Sequence, residues 1–348
     1  MRAYFSGVTH RLLYYRETNM TRLTSILLCA VLILVLNGCS GGDATPTAAP
    51  EATTAELQTN EPTTVTLSGT HRHLLHSEKI NQTFEIDVAL PYPLPGGKLP
   101  VVYVTDGGSM FPLVSISALL LQLGFELPPM IIVGIGHKVD TPLETLSLRT
   151  RDLTPTVDEA MLVEMADGPM ALPEGLSSGG ADEFLDFIEE QVKPMIQANY
   201  PASDDATLVG DSLGGLFTLH ALFTRTADYD RYLVGSPSIW WDNQMLFETE
   251  AAYADGHEDL DADVFISVGA LEEGINPEFD DSKMVSNSIE MAARLRAHDY
   301  PNLRLTEHVF EGETHLSVIP ATMSRGLREL FATEAKALQA AMAKAEDD

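Results

Sequence analysis

Cysteine is nearly missing from this chain: there are two in 348 residues. Cys29 lies inside an apolar segment and Cys39 just beyond it. The rest of the chain therefore has no thiol for a disulfide framework, a thiolate metal site or a cysteine nucleophile. Positive charge is scarce as well, with 21 Lys plus Arg against 51 Asp plus Glu and a formal net charge of -30. No basic stripe exists of the kind that phosphate backbones require, which excludes nucleic-acid binding. Acidic runs such as 257–263 read as solvated faces. Long apolar runs are also lacking: even Ile26–Leu36 falls short of the roughly 20 residues that cross a bilayer. His71, His73 and His76 lie close in sequence, but no adjacent Cys or carboxylate completes a ligand set. No metal or cofactor is expected.

What is present begins with an export pattern. From Met20, with Arg22 as a short positive region, the chain runs through Ile26–Leu36 into Leu36-Asn37-Gly38-Cys39. This resembles a bacterial lipoprotein signal with its lipobox, in which cleavage leaves Cys39 as the acylated N-terminus. Met20 is then a candidate start. Residues 40–63 are rich in Thr, Ala, Pro and Gly without apolar periodicity and read as a flexible tether. The expected organisation is a signal segment over 1–39, a linker over 40–63 and one catalytic domain over 64–348. The expected location is the bacterial cell envelope, with the membrane engaged through a lipid on Cys39.

Beyond the linker the pattern is strand, helix, strand. His71–His76 and Phe84–Leu90 alternate well enough for two antiparallel strands. Leu99–Val104, Met130–Gly136 and Asp263–Gly269 are continuous apolar runs, the mark of strands buried on both faces. A helix is expected from about Pro112 to Leu123, after the Gly107-Gly108 turn. The proline-rich stretch 141–180 breaks the rhythm and reads as a long loop that partly covers a site. Glu183–Asn199 resumes with an amphipathic helix that Pro194 should kink. Arg231–Trp241 reads as a strand and an exposed aromatic loop. Met284–Ala297 is helical, Leu303–Phe310 is the last strand, and a terminal helix follows from about Ser317. Parallel βαβ units with Gly-rich tips at the strands' carboxyl ends are the result.

The centre of this order is Thr207-Leu208-Val209-Gly210-Asp211-Ser212-Leu213-Gly214-Gly215. An apolar run enters a Gly-x-Ser-x-Gly pentapeptide and an apolar helix leaves it, as in a nucleophile elbow of the α/β-hydrolase fold. The fold class expected is therefore α/β, a mostly parallel twisted sheet with helices on both faces. A serine hydroxyl is a weak nucleophile and needs a base and a group to orient that base. In such folds the order is Ser, acid, His, each beyond the end of a strand. Glu272 and His315 occupy those places after the two late strands. Glu273 and Asp242 remain alternatives for the acid, and His308 and His220 for the base. Acyl transfer also needs donors for an oxyanion. Leu213 N–H is one, and Gly108 N–H is the expected second, with Gly107 next.

With these residues placed, the chain from about Thr70 to Leu330 resembles the esterase branch of the α/β-hydrolases that includes ferric-enterobactin esterases, feruloyl esterases and mycolyltransferases. The likeness rests on Val102–Gly107, Arg151-Asp152-Leu153-Thr154-Pro155, Gly210–Gly215, Ser236–Trp241 and Glu313-Thr314-His315. It implies catalytic Ser212, His315 and Glu272, with Leu213 and Gly108 as oxyanion donors. Arg151 and Trp240 are the substrate-binding candidates, Arg149 and Arg151 being able to supply local positive charge. The substrate class implied is a small-molecule carboxylic ester, a siderophore ester among them. Two departures stand out: Asp211 replaces the usual histidine or leucine-type residue before the serine, and the acidic chain offers no evident patch for an anionic ferric chelate. Acyl transfer with the same triad and ligand binding without chemistry are the alternatives.

Overall fold

The computed structural model describes residues 66–167, 176–275 and 282–347. The signal segment, the linker and Cys39 lie outside the described residues. The described chain builds one eight-stranded sheet: β1 (Thr70–Ser77), β2 (Gln82–Ala89), β3 (Leu99–Val104), β4 (Ile131–His137), β5 (Ala202–Asp211), β6 (Arg231–Gly235), β7 (Ala262–Gly269) and β8 (Leu303–Phe310). The spatial order is β1-β2-β4-β3-β5-β6-β7-β8. β1 pairs with β2, and β2 with β4, in antiparallel fashion. Every later neighbour is parallel, from β4 through β8.

The helices, in chain order, are α1 (Gly107–Leu123), α2 (Pro142–Asp152), α3 (Glu159–Asp167), α4 (Ala181–Phe187), α5 (Lys193–Asn199), α6 (Leu213–Thr224), α7 (Trp241–Gly256), α8 (Met284–Ala297), α9 (Ile319–Leu330) and α10 (Ala332–Asp347). Strand alternation sorts the core into two layers. Val101, Tyr103, Leu208, Val234 and Ile266 pack with Phe184, Phe217, Trp241 and Leu295 on one face. Val102, Val104, Val209, Leu233 and Phe265 pack with Phe111, Val114, Met323 and Leu327 on the other. All eight residues of β7 and all five of β6 are buried. Such strands suit a sheet covered on both sides and leave only their ends for chemistry. The fold is the α/β architecture expected.

Three local expectations are corrected and one is met. α1 begins at Gly107 rather than near Pro112, which sits inside it. A Cβ on Gly107 would lie 2.7 Å from the Ile135 backbone nitrogen, so the glycine lets the helix start directly against β4. The stretch 141–180 is not mainly loop: α2 and α3 occupy much of it. Thr141 caps α2 through a reciprocal box with Glu144, and Pro142 stands in its first turn, a strong helix start. The interruption expected at Pro194 is present: a π turn, Ile188–Val192, separates α4 from α5, whose first turn holds Pro194. The Ser236–Trp241 segment is not exposed. Ser236, Ser238, Ile239 and Trp241 are buried, and Trp241 Nε1 donates to the Thr156 carbonyl at 3.3 Å.

Candidate active site

β5 delivers Ser212 through a turn that few sequences can make. Ser212 itself has φ 62° and ψ -119°, a region costly for a side chain and held only where the surroundings impose it. Gly210 is what permits the reversal: a Cβ there would meet the Gly214 carbonyl oxygen at 2.0 Å. α6 starts at the next residue, so Leu213 N–H belongs to the first helical turn, whose amides have no intrahelical acceptor. Thr105 and Asp106, at the end of β3, pack against Gly214. They bring the start of α1, with Gly108 as its second residue, beside the start of α6.

Two strand ends complete the cluster. His315 follows β8, and its Nε2 lies 3.1 Å from Ser212 Oγ. Glu272 follows β7, and its Oε2 lies 2.6 Å from His315 Nδ1. The other Glu272 oxygen accepts from Gly269 N–H at 2.7 Å and from the Ser236 hydroxyl at 2.6 Å. This carboxylate is buried, with both oxygens engaged, so its orientation is fixed before any ligand arrives. Ser238 Oγ stands 3.4 Å from Ser212 Oγ.

The electrostatics follow from burial and neighbours. Burial alone would lower the His315 pKa, but the Glu272 hydrogen bond, the Glu272 charge and the Asp211 charge together raise it above 6.5. Asp211 is buried directly beneath the serine, and one of its oxygens has no hydrogen-bond partner in the protein. Desolvation pushes its carboxyl up to about 7, against the pull of His315 and with the push of Glu272 and Asp106. Arg149, from α2, grips Asp106 with two hydrogen bonds of 2.8 and 2.9 Å. Burial opposes its charge, but Asp106 and then Asp211 outweigh that and keep it protonated.

A cavity of about 480 Å³ opens at Ser212 and His315, with Trp240, Leu271, Ile275 and Met284 among its walls. Trp240 therefore shares a cavity with Ser212 and His315. Among the described residues, none from α2 or α3 lines this cavity, so those helices do not cover it. Arg151 is elsewhere: its guanidinium holds Asp152 at 2.6 and 2.9 Å, and Asp152 also bonds His137 Nε2 at 2.8 Å. That cluster braces α2 against β4. Arg149, not Arg151, is the arginine whose charge acts on the elbow. Gly108 borders a second cavity, of about 450 Å³, together with Asp106, Ser109 and His137.

The other residues weighed from sequence lie apart from the serine. Glu273 accepts from the amide and hydroxyl of Ser286 at the start of α8, at 2.7 Å each. Asp242 opens α7 with φ 45°. His220 bonds Asp182 at 3.0 Å, and the His308 ring packs on Phe310 along β8. His73 Nε2 meets the Tyr200 hydroxyl at 2.6 Å, and His76 Nδ1 meets the Thr83 hydroxyl at 3.1 Å. Among the described residues no group of three or more His, Cys, Asp or Glu could hold a metal ion. Ser236, Ser238, Arg149 and Asp106 acquire their places only in three dimensions. Their one sequence signal is position: each lies on a segment that follows the carboxyl end of a parallel strand, as the buried Asp211 closes one.

Known proteins share this arrangement of elements. The family described as Putative esterase matches residues 77–143 and 158–329. The chain is 31% identical to the ferri-bacillibactin esterase BesA of Bacillus subtilis over 80% of this chain and 95% of that protein. It is also 31% identical to a siderophore triacetylfusarinine C esterase of Aspergillus fumigatus, over 78% of this chain and 96% of the relative. The crystal structure of the BES protein from Bacillus cereus superposes with a TM-score of 0.66 at 30% identity, covering 78% of this chain and 98% of that one. The extent of the family match and of both relatives leads to one conclusion: this chain belongs to the Esterase family of α/β-hydrolases.

Proposed function

We propose that this carboxylic-ester hydrolase works through Ser212 as nucleophile, His315 as base and Glu272 as the group that orients and stabilises the imidazole. The observation that carries the assignment is the unbroken chain from Ser212 Oγ to His315 Nε2 at 3.1 Å and from His315 Nδ1 to Glu272 at 2.6 Å. With the imidazole proton on Nδ1 and donated to Glu272, Nε2 is free to accept the serine proton. Ser212 Oγ adds to the ester carbonyl while that proton moves to Nε2, and Glu272 stabilises the imidazolium formed. Leu213 N–H and Gly108 N–H receive the negative charge that develops on the carbonyl oxygen. Collapse expels the alcohol, which takes the proton from His315. Water then adds to the acyl carbon as its proton passes to His315, and His315 returns that proton to Ser212 Oγ as the acyl–serine bond breaks and the acid leaves.

The substrate proposed is a siderophore ester; the named activities of the two relatives support that class. Trp240 supplies an aromatic wall for it. Residues 1–39 are proposed to direct export, Cys39 to carry the lipid, and 40–63 to tether the domain of 64–348 to the bacterial envelope.

The test uses the domain freed of residues 1–40. It should hydrolyse p-nitrophenyl butyrate and be labelled by a fluorophosphonate at Ser212, and Ser212→Ala should lose at least about 1,000-fold in kcat. Retention of the rate in that variant would overturn the mechanism. A panel that includes a siderophore triester, with acyl acceptors added, reads substrate class and separates hydrolysis from transfer.

A further inference from the structure

The cavity at Ser212 is built for one kind of ligand charge. Trp240, Leu271, Ile275 and Met284 offer it apolar surface, and its polar lining is Ser212, Ser238, Glu272, Ser282, Thr314 and His315. No Lys or Arg lines it among the described residues. Residues 168–175 and 276–281 contain none in their sequence either. Lys283, between two wall residues, is exposed and is not part of the lining. The one guanidinium whose charge acts on the site, that of Arg149, is already matched by Asp106 with both hydrogen bonds made. The carboxyl groups of Glu272 and Asp211 therefore stand beside the reacting serine with only His315 to balance them, Asp211 adding its charge as pH rises through about 7.

An anionic group entering this space would lose its hydration to an apolar wall and gain no cation in return. It would also face the carboxyl groups of Glu272 and Asp211 at short range, in a chain whose formal net charge is -30. A neutral, apolar group would meet none of these penalties and would bury its surface against Trp240 and Met284. We propose that the cavity selects uncharged esters, so that neutral chelates and apolar acyl groups are substrates while strongly anionic ones are turned away. The proposal rests on the hydrolytic reading above and names its substrate class.

The experiment compares two p-nitrophenyl esters of equal length: the succinate half-acid, which is anionic, and its methyl diester, which is neutral. The neutral ester should be favoured at least about 30-fold in kcat/KM, the scale expected when a carboxylate is left without a partner in an apolar site. Ile275→Lys and Leu271→Lys place a cation on the rim at partly exposed positions that tolerate it, and each should narrow that preference by about fivefold or more. A wild-type ratio within about threefold, or a ratio unmoved in both variants, would overturn the proposal. Binding is read separately in Ser212→Ala protein by tryptophan fluorescence titrated with the same esters. Neutral-selective binding without turnover of either ester in the wild type would sink the hydrolytic reading alone. Equal binding of the two esters would sink the charge selection and leave hydrolysis standing.

Discussion

Asp211 is the residue whose environment most exceeds its motif. Its folded-state pKa of about 7 lies above the ordinary 3.8. The stability tied to its neutral form is therefore full below 3.8 and is lost as pH rises through about 7. Asp211→Asn should raise Tm by roughly 2–6 °C at about pH 8, with the gain vanishing near pH 4, as scanning calorimetry at the two values would read. The same charge bears on catalysis. Glu272 and Asp211 hold the His315 pKa above 6.5, so kcat/KM should rise with pH through a midpoint above that value. Asp211→Asn should move the midpoint down by about half a unit to one unit, followed by initial rates from acid to alkaline pH. An unchanged midpoint would mean that the carboxylate does not act on the base. The positions of Ser212, Glu272 and His315 were legible in the sequence, because each follows a recognisable strand in the order the proposed chemistry needs, the one ahead of His315 being only half-buried. The burial of Asp211 was not legible. A carboxylate at a strand end reads as solvated, and only packing with Gly235 and Thr322 closes water away from it.

At the scale of elements, the elbow is the least forgiving joint. Gly210→Ala drives a Cβ to 2.0 Å from the Gly214 carbonyl oxygen, a clash of backbone against side chain that no rotamer relieves. It should yield insoluble protein or cost at least about 100-fold in activity. Gly108→Ala, where a Cβ meets nothing within 4 Å, should give protein as folded as wild type by circular dichroism and thermal melt. The parallel strands were readable because a strand covered on both faces must be apolar along its length. α2 and α3 were hidden by the prolines of 141–180, which read as breakers although Pro142 stands in a first turn. The capping residues Thr141 and Glu144 were the signal that outweighed them. Trp240 and Trp241 divide for a reason no local pattern carries: α3's approach segment supplies the Thr156 carbonyl for the Trp241 indole, leaving only Trp240 toward the cavity.

At the scale of the molecule, the acidic surface and the proposed anchor belong to the whole chain rather than to the site. Cys39→Ser in the full-length protein, expressed in a bacterium, should shift the esterase activity from the membrane pellet to the soluble fraction while leaving kcat on p-nitrophenyl butyrate within about twofold. Activity that stays with the membrane would count against lipid attachment. The sheet also imposes an order in time. The proposed nucleophile hangs from the central strand β5, while its proposed base hangs from β8, which pairs with β7 alone at the sheet's edge. The two residues are 103 positions apart in the chain. At a synthesis rate of about 5–20 residues per second, the serine leaves the ribosome roughly 5–20 s before the histidine that activates it. On the proposed mechanism a nascent chain is chemically silent until its last strand has been made, and the cell that synthesises it is spared its hydrolysis meanwhile.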